Sequence, residues 1–90
     1  MVEAYVVFKG KVQGVFFRRT VFHHTKNFPI SGFVKNLPDG SVEAVFQGEK
    51  EDVEKLVALI KEKPALANLT EINITYLKPT KNYSDFSIEY

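Results

Sequence analysis

Ile30-Ser31-Gly32-Phe33-Val34-Lys35-Asn36-Leu37-Pro38-Asp39-Gly40-Ser41-Val42-Glu43-Ala44-Val45-Phe46-Gln47 is the stretch that decides the fold. Its middle, Leu37-Pro38-Asp39-Gly40, is turn chemistry, with proline fixing φ and glycine supplying a positive one. Before the turn, Ile30 to Lys35 reads as a strand that Asn36 closes. After it, Val42, Ala44 and Phe46 alternate with Glu43, Val45 and Gln47, the pattern of a hairpin partner. A hairpin therefore occupies the middle of the chain, and what flanks it sets the topology.

Upstream, Ala4 to Lys9 is rich in β-branched and aromatic residues and reads as a strand that Gly10 stops. From Phe17, the positions Val21, Thr25 and Phe28 recur at helical spacing, and Pro29 forbids further extension. Downstream, Val53, Leu56, Val57 and Ile60 occupy i, i+3, i+4 and i+7 of a second helix. Glu49, Glu51 and Asp52 lie near its start and Lys61 and Lys63 near its end, as the helix dipole favours; Pro64 ends it. Ile72, Ile74 and Tyr76 alternate with Glu71, Asn73 and Thr75 as a fourth strand, and Phe86, Ile88 and Tyr90 add a short fifth. The order β-α-β-β-α-β is the split βαβ, ferredoxin-like α+β arrangement, an antiparallel sheet with two helices on one face. Residues 1–90 are read as a single domain. This fold hosts sensors, RNA binders, electron carriers and enzymes, so function must be read from a site.

Composition narrows the field. The 90 residues are 44% apolar and 13% aromatic, enough for one core in two layers. Twelve Lys and Arg against eleven Asp and Glu give a net charge of +1, which builds no strong field for nucleic acid or an anionic membrane. The absence of cysteine excludes a disulfide scaffold, thiolate catalysis and Cys-ligated zinc or iron–sulfur centres. Glu3 stands where an export signal needs bases, and the longest apolar run is only Leu56 to Ile60, so a cytoplasmic location is expected.

The chemistry sits in Gly10-Lys11-Val12-Gln13-Gly14-Val15-Phe16-Phe17-Arg18-Arg19, between the first strand and the first helix. A glycine turn running into a helix start presents unpaired backbone N–H groups, and the dipole adds to their pull on an anion. Gly14 lets successive N–H groups converge on one spot, and Arg18 adds a planar fork of donors suited to phosphate oxygens. The spacing is neither that of a Walker A loop nor of a dinucleotide fingerprint. On periodicity alone, a plain β–α connection with a turn glycine and a solvated arginine is the better account of the stretch. Asn36, at the end of the second strand, reads either as an amide facing a ligand or as an ordinary turn residue. Arg19 diverges from Arg18 by about 100° and is read as facing solvent or pairing with a surface acid. His23 and His24 are adjacent on a helix, point apart, and are read as solvated.

Taken together, Gly10 to Arg18 and Gly32-Phe33-Val34-Lys35-Asn36, continuing through Glu43, resemble the two signatures of the acylphosphatase family. These small ferredoxin-like enzymes hydrolyse carboxyl-phosphate mixed anhydrides. The resemblance implies that Arg18 binds and activates the phosphate and that the loop N–H groups of Gln13, Gly14, Val15, Phe16, Phe17 and Arg18 cradle it. It implies that Asn36 positions the attacking water, and that no metal and no cofactor takes part. It implies a small acyl phosphate as substrate, inorganic phosphate as product and inhibitor, and a monomer with neither nucleic acid nor membrane as partner. Pro29, Thr25, Phe33 and Lys63 stand where the family commonly carries glycine, alanine, tryptophan and glycine. All four lie outside the phosphate loop. The competing reading is a ferredoxin-like phosphate-binding regulatory module without useful turnover.

Overall fold

In the computed structural model, which describes residues 1–90, β1 (Val2–Lys11) sends Ala4, Val6 and Phe8 to one face, all fully buried. β3 (Val42–Gly48) sends Val42, Ala44 and Phe46 to the same face, and β2 (Ser31–Asn36) adds Val34. Two helices cover that face: α1 (Phe17–Thr25) through Phe17, Val21 and Thr25, and α2 (Lys50–Glu62) through Val53, Leu56, Val57 and Ile60. Fifteen buried residues from strands, loop and helices form one core cluster. The alternation and the helical stripe in the sequence thus meet across a single interface.

With β4 (Asn68–Leu77) and β5 (Phe86–Glu89), the sheet runs β4-β1-β3-β2-β5. The four strands of the ferredoxin-like unit pair antiparallel, as expected, while β5 joins β2 in parallel and makes the completed sheet mixed. Because β3 is antiparallel to both β1 and β2, those two strands point the same way. Their C-terminal ends therefore emerge at one edge of the sheet. Val42 pairs with Phe8 on one side and Asn36 on the other, so the end of β2 is level with the stretch where β1 runs into the loop. The register brings the two sequence signatures together.

Two boundaries differ from the sequence reading. Gly10 does not stop β1; the strand runs on to Lys11 past a register shift against β4 at Lys9/Gly10. Gly10 sits at φ 119°, and a Cβ there would collide with the Asn68 carbonyl, so glycine makes a bulge that lets the strand continue. The first helix ends at Thr25, before Phe28. The Lys26 N–H bonds back to the carbonyls of His23 and His24, and the amides of Asn27 and Phe28 to those of His24 and Thr25. These tightening turns release the chain before Pro29, which replaces a glycine cap. Phe28 still packs against the core, from the turn and not from the helix.

The face away from the helices carries a polar layer. Gln47 and Glu3 are buried there, and the Gln47 amide donates to the Glu3 carboxylate and to the Lys81 carbonyl. Tyr5 donates to Glu43 at 2.6 Å, and that bond, with partial burial and the nearby carboxylates, pushes the phenol up to about 12. No helix is long and apolar enough to cross a membrane.

Candidate active site

The loop between β1 and α1 is built from two backbone conformations that most residues avoid. Gly14 lies at φ 75°, where open space surrounds the missing Cβ, so glycine is favoured there by conformation and not by packing. Phe16, the residue before α1, lies at φ 59° and ψ 28°, a left-handed conformation that a bulky side chain enters at a cost. It leaves its ring 70% exposed. Phe17 then turns inward and meets Phe8 edge-to-face at 5.1 Å, which anchors the helix start on β1. Thr20 N–H, bonded to the Phe16 carbonyl at 3.1 Å, is the first donor with a partner one turn back. The amides of Phe17, Arg18 and Arg19 precede that first bond and face the loop end.

These elements enclose an open cavity of about 280 Å³ lined by Val12, Gly14, Phe16, Phe17, Arg18 and Asn36. Asn36 reaches it because it shares its strand face with Gly32 and Val34, the helix-covered side, at the end of β2. Its Oδ1 is buried and has no hydrogen-bond partner in the protein. A buried carbonyl oxygen left unpaired is costly, and such atoms are rare in native interiors.

The Arg18 guanidinium is held from behind. Its Nη1 donates to the Glu89 carbonyl at 2.8 Å, and its Cζ stands 4.6 Å from the centre of the Tyr90 ring. Neither contact neutralises its charge, and Arg18 belongs to no ion pair. The planar fork keeps donors free for an anion while its long stem is restrained. Arg19 is exposed, with its guanidinium 5.7 Å from the centre of the Phe16 ring.

The remaining loop positions divide. Both hydrogens of the Gln13 amide are spent on the hairpin, donated to the carbonyls of Leu37 at 2.7 Å and Ser41 at 2.8 Å. The side chain of Gln13 thus fastens the loop to the turn beside Asn36, and Gln13 itself lies outside the cavity wall. Val15 is half-buried against the core and outside the cavity wall. The turn is itself rigid: Asp39 accepts from the Ser41 N–H and hydroxyl, and those bonds hold its carboxyl below the usual range. Sequence reasoning missed the Gln13 clamp and the support of Arg18 by Glu89 and Tyr90. The alternation Phe86, Ile88, Tyr90 carried a signal for the second, since it sets Tyr90 in step with the two side chains that pack on the core's edge. His24 was misread as solvated; its Nε2 lies 2.8 Å from the Lys63 carbonyl and ties α1 to the end of α2.

The ferredoxin-like α+β sheet thus gathers a left-handed turn into a helix, an uncompensated arginine and a buried strand-end amide around one cavity. Comparison with known proteins sharpens this. A family model described as acylphosphatase matches residues 4–88. An acylphosphatase of Roseiflexus sp. (strain RS-1) is 40% identical over 88 residues, 98% of this chain and 95% of its own. The crystal structure of acylphosphatase from Bacillus subtilis covers 100% of both chains with a TM-score of 0.94 at 30% identity. That of an acylphosphatase from Coxiella burnetii, 35% identical, matches 98% of this chain and 92% of its own with a TM-score of 0.88. The chain belongs to the acylphosphatase family.

Proposed function

We propose that the protein hydrolyses acyl phosphates to a carboxylate and inorganic phosphate, with Arg18 and Asn36 as the residues that touch the reacting atoms. One observation carries this: the wall of a single cavity holds Gly14, the first residues of α1 with Arg18, and Asn36, whose Oδ1 is buried without a partner. In this reading, the backbone amides of the loop from Gln13 to Arg18 and the guanidinium hold the phosphate oxygens, on which charge builds in a loose transition state. Asn36 Oδ1 accepts a hydrogen bond from a water and aligns its oxygen with phosphorus. The water oxygen bonds to phosphorus as the bond from phosphorus to the acyl oxygen breaks. The water's proton passes to a phosphate oxygen, because an amide cannot take it. The carboxylate departs with the bond's electron pair and needs no proton, so no general acid is required.

A module that only bound phosphate would use the loop and Arg18 and would have no need of Asn36. Asn36 in the cavity wall, with a buried oxygen that has no partner in the protein, favours turnover. All donors in the wall are N–H groups, and no cluster of three or more His, Asp or Glu side chains forms in the chain, so metal-independent action belongs to the proposal. So do a single domain acting as a monomer in the cytoplasm and inorganic phosphate competing for the same cavity. Acetyl phosphate hydrolysis, followed with and without a chelator, tests the reading. Turnover unaffected by the chelator is expected. Activity lost on chelation and restored by one divalent ion would overturn the mechanism, and phosphate binding without any turnover would favour the module.

A further inference from the structure

Beside the phosphate cavity lies a second one of about 180 Å³, lined by Phe16, Arg18, Arg19, Ile88 and Tyr90. It shares Phe16 and Arg18 with the first, so the two are contiguous across the helix start. Three features of its wall have no explanation in folding. Arg19 places a positive charge in the first turn of a helix, where the dipole disfavours it, and it belongs to no ion pair. Phe16 takes a left-handed conformation and exposes most of its ring, yet that ring lies beneath the Arg19 guanidinium. Tyr90 is 91% exposed and its ring lies against Arg18.

The arrangement also indicates which ligand fits. Each ring has a guanidinium against one face, so positive charge and not aromatic surface alone characterises the wall. Arg19 is exposed, rests over the Phe16 ring and has no ion-pair partner, which leaves its guanidinium free for a carboxylate. The shared wall of Phe16 and Arg18 makes the second cavity a path open to the acyl half of a substrate whose phosphate occupies the first. Resting on the acylphosphatase reading above, we propose that this second cavity selects acyl phosphates whose acyl chain ends in a carboxylate, with Arg19 as the residue that recognises it.

A matched pair of substrates tests this: hexanoyl phosphate, and the mono-acyl phosphate of adipic acid, which has the same carbon count and a terminal carboxylate. At low ionic strength the wild type should show a kcat/KM roughly fivefold higher for the carboxylated substrate, the scale of one exposed ion pair. That ratio should fall to about one in Arg19→Ala, remain partly in Arg19→Lys, and shrink in high salt. A wild type that treats both substrates alike, or an Arg19→Ala variant that keeps the preference, overturns the assignment while leaving the hydrolase reading intact. A wild type that hydrolyses neither sinks the hydrolase reading and this inference with it.

Discussion

The two helices differ at their starts in a way that the rest of the fold does not require. α2 follows Glu49 at ordinary extended angles, φ −72° and ψ 142°, and places Glu51 and Asp52 in its first turn. Neither helix has a side-chain cap, but α1 follows Phe16 in a left-handed conformation, has no acid in its first turn and carries Arg18 and Arg19 there instead. One helix answers its own dipole with its own side chains. The other leaves its donors unanswered and surrounds them with positive charge, an arrangement that an anion from outside completes. α2 is built for stability and the start of α1 for binding, and the contrast makes separable claims about what each residue does.

The largest effect belongs to Arg18. Arg18→Ala should lower kcat/KM for acetyl phosphate by about 10³-fold or more, about 4 kcal/mol of transition-state stabilisation. The protein should still fold, because the side chain lies outside the core cluster. Inorganic phosphate should raise the melting temperature of the wild type by mass action and leave that of the variant nearly unmoved. A variant that keeps its phosphate-induced shift would separate the arginine from the anion site.

Asn36→Ala should lower kcat by about 10²- to 10³-fold, roughly 3 to 4 kcal/mol, while the phosphate-induced melting shift persists. Without ligand the variant should be as stable as the wild type or more so, because it removes a buried oxygen that has no partner. Equal losses in phosphate affinity and in turnover would make Asn36 a ligand of the ground state.

Leu56→Ala probes the opposite side of the contrast. Leu56 is fully buried on the stripe of α2, so the cavity left should cost about 3 kcal/mol in denaturant unfolding. At a temperature where the variant is folded, kcat should match the wild type. A loss of kcat larger than the loss of folded protein would show that the core and the site are not separable.

This contrast also explains what could be read from the sequence. α2 was legible in full, because its four buried residues, its acids and Pro64 are all local signals of one outcome. The β2–β3 hairpin was legible for the same reason. Arg18 and Asn36 were singled out by two signatures far apart in sequence, and the shared direction of β1 and β2 is what joins them. Apart from the end of α1, which local turns from Lys26 to Phe28 set, the misreadings are non-local. Gly10 carries the mark of a strand end, and only its contact with Asn68 on β4 makes it a bulge. The parallel pairing of β5 with β2, the two Gln13 bonds to the hairpin and the hold of Glu89 and Tyr90 on Arg18 all join distant segments. His24 looked solvated because its acceptor lies on the other helix. Periodicity reports what a residue does within its own element, and these residues act between elements.

The smallest effect tests whether the start of α1 is strained. A non-glycine residue in the left-handed region costs about 1 to 2 kcal/mol, and Phe16 recovers little of it by burial, being 70% exposed. Phe16→Gly removes that cost but adds about 0.4 to 1 kcal/mol of unfolded-state entropy. The balance is a gain of about 0.5 kcal/mol, which for a domain of this size is a rise of roughly 2 to 4 °C in melting temperature. The same change takes away the ring beneath Arg19, so the preference for a carboxylated acyl phosphate should weaken as stability rises. Stability and selectivity moving in opposite directions is what a strained binding element requires. If Phe16→Gly loses stability instead, the ring holds the turn in place, and the start of α1 is as self-sufficient as that of α2.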